Sequence, residues 1–388
     1  MTTRAYSHAR RGLYLLNFVF NLSWALGAYF NANFLLSRGI VEAKIGLTFS
    51  AAAALAALIF IIAPRLMKRS VFAPWIAGVV VSGIASLLLA YVALPWLLVL
   101  AFIIGNAVLY LIGYCLDLFL EDATPEREKT GSVRSIFLTM ANLANAIAPF
   151  IAGLILATGG FHSLYLTMAA LCLPLLAIGF GSLAQMETPA PSEIRWMRVL
   201  ARIARDRDLR GVFIAQFLLR FFFAAMAVYT PLYLYQVLGF TLEETGIIFT
   251  IMLSPYIFIE IPAGRIADLK LGEQEMLVLG FVIVALATGA LSFVTSASLV
   301  LWAIALFATR VGASFIDIMS ETYFFKKVDG SETSAIGAFR MLYPAASILA
   351  PALGSLFIAF LPLQYVFLAL GIVMLIGIPA ALSLHDTR

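Results

Sequence analysis

Charge is what this 388-residue chain has least of. Asp, Glu, Lys and Arg make up 12% of it and strongly apolar residue types 63%, against about 25% and 45–50% in soluble domains. A water-soluble globule is thereby excluded. The only two cysteines, Cys115 and Cys172, stand 57 positions apart inside apolar runs, which suits small buried side chains rather than a disulfide or metal framework. Histidine is equally scarce: His8, His162 and His385 form no His-x-x-x-His pair, and no Cys-x-x-Cys occurs. Metal-assisted catalysis therefore lacks its usual ligand sets. No Gly-Lys dipeptide is present, so a phosphate loop of the usual form, and with it a pump driven directly by ATP, is disfavoured. No cofactor and no metal site are expected.

Long apolar runs are what the chain has instead. A helix crossing the hydrocarbon needs about 20 mostly apolar residues, and runs of that length lie at 13–36, 46–63, 71–91, 96–119, 135–157, 163–183, 211–236, 246–263, 275–294, 298–320, 341–360 and 363–383. Twelve crossings leave only short loops and no separate soluble domain. Barrel strands are excluded, because they alternate apolar and polar residues whereas these runs are apolar on every face. The first run, about 24 residues, exceeds the 7–15-residue core of a signal peptide and no small-x-small cleavage site follows it. The one long polar interval, 184–210, carries Pro189, Pro191 and six arginines. It is predicted to be a cytoplasmic linker between a six-helix bundle over 1–183 and a second over 211–388.

The small basic excess, 25 Lys and Arg against 21 Asp and Glu, raises the question of an anionic partner such as nucleic acid. Placement answers it. With the N-terminus inside, 21 of the 25 basic residues fall in the termini and inner loops; Arg38 and Lys44 are outside, and Arg220 and Arg310 lie within crossings. The positive-inside rule accounts for that distribution. The expected setting is the inner (cytoplasmic) membrane with both termini cytoplasmic, and the expected partners are the bilayer and a small-molecule substrate, with protons as a coupling candidate. A monomer is expected, and nucleic acid is not.

The halves repeat. An offset of 200 pairs Tyr29 with Tyr229, Gly39 with Gly239, Gly46 with Gly246, Arg65 with Arg265, Asp117 with Asp317 and Glu121 with Glu321. Later an offset of 202 pairs Phe137 with Phe339 and Ala148-Pro149 with Ala350-Pro351. The charged residues among them are uncommon in crossings, and six crossings per half give both halves the same orientation, so the pattern is a parallel repeat.

These residues resemble the major facilitator superfamily over the whole chain. The loop after the eighth crossing, from Gly264 through Arg265, Asp268 and Lys270 to Gly272, is similar to that superfamily's Gly-x-x-x-Asp-x-x-Gly-type cytoplasmic signature. The matching first-half loop, Pro64-Arg65-Leu66-Met67-Lys68-Arg69, keeps the arginine but lacks the glycine and aspartate. Ala148-Pro149-x-x-Ala152-Gly153 only loosely resembles the antiporters' Gly-Pro-x-x-Gly-Gly element. The resemblance implies an all-α integral membrane protein of twelve transmembrane helices in two pseudo-symmetric six-helix bundles, with crossings 1, 4, 7 and 10 lining a central path.

Three of those four crossings carry a polar stripe at helical spacing. Crossing 1 has Asn17, Asn21, Trp24 and Asn31; crossing 4 has Asn106, Tyr110, Tyr114, Asp117 and Glu121; crossing 10 has Arg310, Ser314, Asp317 and Glu321; crossing 7 offers Gln216 and Arg220. Such stripes either line the path and bind substrate or hydrogen-bond packed helices to one another. At about 1.5 Å per residue, Arg220 and Arg310 lie near the middle of a core about 30 Å thick, where an arginine needs water or a partner. Two readings stand: both bind an anionic group of the substrate, or Arg220 bridges structurally to Glu260. Asp117, Asp317 and Glu260 lie about one turn from the inner ends of their crossings. There Asp117 with Glu121, and Asp317 with Glu321, either gate by pairing with Arg65 and Arg265 or, for Glu260 and Asp317, carry protons. Pro149 and Pro351 mark places where a helix can bend.

The function expected is secondary active transport of a small organic solute, in one reading anionic, by alternating access and with proton coupling. Sugar transport, multidrug-type efflux, an integral-membrane enzyme and a non-transporting sensor or scaffold are the alternatives.

Overall fold

The computed structural model describes residues 3–124, 130–186, 188–189, 195–259, 272–328 and 332–385. Among them every regular element is a helix: α1 (Thr3–Ala28), α2 (Asn31–Ser37), α3 (Glu42–Leu66), α4 (Phe72–Tyr91), α5 (Pro95–Asp122), α6 (Thr130–Ser182), α7 (Trp196–Arg205), α8 (Arg207–Gln236), α9 (Leu242–Leu253), α10 (Pro255–Phe258), α11 (Glu273–Leu291), α12 (Leu299–Lys327), α13 (Thr333–Arg340), α14 (Leu342–Ile358), α15 (Tyr365–Leu375) and α16 (Gly377–Leu382).

Helix ends fall where local chemistry puts them. Pro95 opens α5, where its missing N–H would have had no partner. Asp206 caps α8 by accepting from the Leu209 N–H at 3.1 Å, and Thr241 with Glu244 forms a capping box at the start of α9. Gly160, at φ 61 and ψ −165, breaks α6 in two. That backbone is open to glycine and hardly to any other residue, and it separates the fifth and sixth crossings within the predicted interval 158–162. Gly39 and Gly239, paired by the 200-residue offset, both turn the chain at positive φ, 80 and 75.

Among the described residues nine helices are long and apolar enough to cross a membrane, and the pair α1 and α2, bent by 44°, makes ten. Breaking α6 at Gly160 adds one, and the eighth crossing, described only through α9 and α10, completes twelve. Pro149 and Pro351 lie inside α6 and α14, which continue past them; the break in α6 is at Gly160, not at Pro149.

The chain forms two compact units, one of Met1–Phe34 with Ala51–Ser192 and the other of Leu35–Ser50 with Glu193–Arg388. In the first, α1 packs on α6 and α4 on α5 and α6, around Leu13, Leu16, Trp75, Ile112, Leu116 and Phe119. In the second, α11 packs on α12 and α15, and α8 on α14 and α12. Tyr233 there meets the rings of Trp302 at 5.5 Å and Phe367 at 5.2 Å. Leu87, Leu286, Ile304 and Leu356 are exposed, an apolar surface suited to lipid rather than water.

Candidate functional site

The second unit holds the charged cluster. Arg220 stands near the middle of α8, and its Nη2 meets Asp317 Oδ1 of α12 at 2.9 Å and Glu321 Oε1 at 3.9 Å. Arg340 of α13 approaches the same Glu321 oxygen at 3.4 Å. The hydrogen-bond network sets the Gln216 amide so that its Nε2 donates to Ser320 Oγ at 2.7 Å. Its Oε1 then accepts from Arg220 Nη2 at 2.7 Å and Nε at 3.0 Å. Two carboxylates and one amide oxygen thus surround Arg220, whose guanidinium also lies 5.7 Å from the rings of Phe223 and Tyr343.

Glu260, the partner considered for Arg220, lies outside the described residues; among those described, Asp317 is in hydrogen-bond contact with Arg220. One expectation is corrected: Asp317 is not one turn from the end of its helix, because α12 runs on ten residues beyond it to Lys327. Hydropathy ends a crossing where the side chains turn polar; the backbone ladder continues regardless. Neither Arg340 nor Tyr343 carries a sequence signal of this role, whereas Phe222 and Phe223 follow Arg220 almost directly in the chain.

Arg310 is placed differently. It is 1% exposed, with its guanidinium carbon 5.0 Å from the Phe222 ring centroid and 5.1 Å from that of Phe223. Its Nε and Nη1 are buried and have no hydrogen-bond partner among the described residues. Aromatic faces attract a cation by about 0.5–2 kcal/mol but accept no strong hydrogen bond from its N–H groups. Guanidinium donors of this kind are matched chemically by the paired oxygens of a carboxylate or phosphate.

In the first unit the polar stripes turn partly inward. Asn17 Nδ2 donates to the Phe137 carbonyl at 2.7 Å, tying α1 to α6. Asn21 Nδ2 donates back to the Asn17 carbonyl and side-chain oxygen at 2.8 and 2.9 Å. Asn31 Oδ1 accepts from Tyr165 Oη at 2.8 Å, and its Nδ2 donates to Asn106 Oδ1 at 3.4 Å. Asn17 and Asn31 are buried and hold helices together, the second of the two roles open to such stripes. Trp24, Asn31, Asn106 and Tyr165, with Ser82 and Ser86, line a cavity of about 20 Å³. That volume suits one water and is too small for an organic solute. Trp24 packs against Tyr110 with centroids 5.4 Å apart, and Tyr114 against Phe60 at 4.9 Å.

Of the expected gating groups, Arg65 closes α3 in an exposed last turn, Glu121 is exposed near the end of α5, and Asp117 is half-buried one turn earlier. Arg265 and Asp268, like Glu260, lie outside the described residues.

A sequence model described as Major Facilitator Superfamily matches residues 13–251 and 212–388. No curated protein matches the chain. Solved structures do. A mutant form of the nucleoside transporter NupG superimposes with a TM-score of 0.79 at 13% identity, over 96% of this chain and 99% of that one. A POT family transporter in complex with a thioalcohol-conjugated peptide gives 0.78 at 14%, over 96% and 94%. A bacterial homolog of the human lysosomal transporter Spinster, inward-facing and unoccupied, gives 0.77 at 13%, over 99% and 98%. At these identities the likeness is one of fold.

Proposed function

The chain belongs to the major facilitator superfamily, and from that premise we propose that it is a proton-coupled secondary transporter of a small organic anion. The transporter class itself follows from the family and the fold, and it leaves no place for the enzyme reading. The finer reading rests on one observation: Arg310 is buried between Phe222 and Phe223, with Nε and Nη1 that meet no acceptor among the described residues. Arg220, the other embedded cation, already has Asp317 and Glu321. Of the two arginines proposed from sequence as anion ligands, Arg310 is the one to which a solute carboxylate or phosphate would bind.

In this reading two halves, 1–183 and 211–388, joined by the linker 184–210, alternate access to a site near the membrane midplane. Asn21, Trp24, Asn106, Tyr110 and Tyr114 of the first half and Gln216 of the second are the neutral groups proposed to face the solute. A proton arriving at Asp317 would remove the negative charge opposite Arg220 and loosen the contact between α8 and α12; this is the proposed coupling step. Arg65, Asp117 and Glu121 in one half, and Glu260, Arg265, Asp268 and Glu321 in the other, are proposed to gate the inner side. The arginine distribution supports a cytoplasmic linker and cytoplasmic termini.

A thermal-shift screen of the purified protein across organic anions, sugars and lipophilic cations tests the substrate class. Stabilisation confined to anions is expected, since a ligand that binds only the folded state raises its stability by mass action. Stabilisation by sugars or lipophilic cations alone would transfer the protein to one of the other transporter readings.

A further inference from the structure

The helix α7, between the two halves of the sequence, has a composition that transport does not use. Its ten residues, Trp196–Arg205, place Trp196, Met197, Leu200 and Ala204 along one face at 100° per residue. Arg198, Arg202 and Arg205 occupy the other. Val199 is buried and Ile203 half-buried, which fixes the side turned to the protein. The remaining apolar side chains are open: Trp196 is 37% exposed, Leu200 55% and Met197 83%.

Three contacts hold this helix in place within the second unit. Arg202 pairs with Glu332, the Arg195 N–H donates to Ser334 Oγ at 3.3 Å, and Asp206 is at once the end of α7 and the cap of α8. Because α8 begins directly after Asp206 and carries the crossing that starts at 211, α7 ends about 9 Å of helix rise from that apolar run, within reach of the bilayer interface. Arg198 and Arg205 have no ion pair among the described residues. They border an open cleft of about 570 Å³ together with Ala201, Arg202 and Asp206.

An exposed stripe of Trp, Met and Leu backed by arginines is the pattern of a helix lying in the membrane interface. Basic side chains at that level attract anionic headgroups. We propose that α7 beds its Trp196–Met197–Leu200 face in the acyl boundary and that Arg198 and Arg205 hold the phosphate of an anionic phospholipid. The lipid surface, rather than a second protein, is the occupant because the start of α8 already fixes α7 beside it. This site is separate from the transport reading and stands or falls without it.

Both native cysteines are buried, so Met197→Cys in the full chain can be labelled alone with an environment-sensitive fluorophore. In nanodiscs containing acyl-brominated phosphatidylcholine the label is expected to be quenched and its emission blue-shifted; an unquenched, water-like emission overturns the interfacial placement. In neutral detergent, titration with phosphatidylglycerol should change the label's emission at about 30-fold lower concentration than in the Arg198→Gln/Arg205→Gln form, the factor set by two basic contacts at an anionic surface. Phosphatidylcholine should not separate the two proteins. Equal phosphatidylglycerol affinity, or an equal response to inorganic phosphate, refutes the lipid site. Leu200→Gln keeps the arginines and should reduce quenching, and its unchanged quenching would also count against the proposal.

Discussion

Replacing Arg310 with methionine separates the anion-site reading from a purely structural one, because the two predict opposite outcomes. In the unliganded protein the change removes a buried cation whose Nε and Nη1 have no acceptor among the described residues. Exchanging buried charged groups for well-packed apolar ones is often neutral or stabilising by about 1–4 kcal/mol. Against this stands the loss of two ring contacts, at 5.0 and 5.1 Å, each of about 0.5–2 kcal/mol. The two effects nearly cancel, so the melting temperature without ligand should change little. With an anion bound, the substitution removes a charge-assisted contact in a dry site, a loss of about 2–5 kcal/mol, or about 30- to 5,000-fold in Kd. The assay is a titration of the purified protein with whichever anion stabilises the wild type, followed by thermal unfolding and direct binding. A large fall in melting temperature without ligand, combined with unchanged anion affinity, would show that Arg310 serves packing and would refute the reasoning.

Asp317→Asn removes the nearer of Arg220's two carboxylates and leaves Glu321 at 3.9 Å; uptake driven by a proton gradient should be lost while exchange of solute across the membrane persists, as flux assays with and without the gradient would show. Gly179→Ala should destabilise the first unit by about 1–3 kcal/mol, since the added Cβ would lie 2.1 Å from the Trp75 ring; a melting curve that matches wild type contradicts this. Asn31→Leu removes the oxygen that accepts from Tyr165 Oη at 2.8 Å and the Nδ2 that donates to Asn106 Oδ1 at 3.4 Å, and should lower stability by about 1–3 kcal/mol, read in the same way.

The order of crossings was legible in the sequence because hydrocarbon thickness sets helix length. The parallel repeat was legible because charged residues are rare enough in crossings for their recurrence to carry information, and because a turn that needs glycine recurs at the same offset. Gly39 and Gly239 show this directly: a 200-residue match of two letters corresponds to the same left-handed turn twice. What a stripe of asparagines does was not legible. Spacing places Asn17 and Asn31 on one face of a helix, but whether that face meets a neighbour or a cavity depends on how the helix is rotated in its bundle. The pairing of Arg220 with Asp317 was hidden for a related reason. The two are 97 positions apart, and only the packing of α8 on α12 brings them together. That Arg310 Nε and Nη1 meet no acceptor among the described residues was equally invisible, since it depends on which side chains the packing brings near them.

The central claim, transport of an organic anion through a site containing Arg310, is tested most directly by solute flux. Wild-type protein and Arg310→Met are reconstituted in parallel into liposomes and offered labelled organic anions, sugars and lipophilic cations under an imposed proton gradient. Saturable uptake of an anion by the wild type, lost in Arg310→Met, is the predicted result. Uptake of a sugar or cation that survives the substitution, or no flux of any solute by the wild type, would contradict the account.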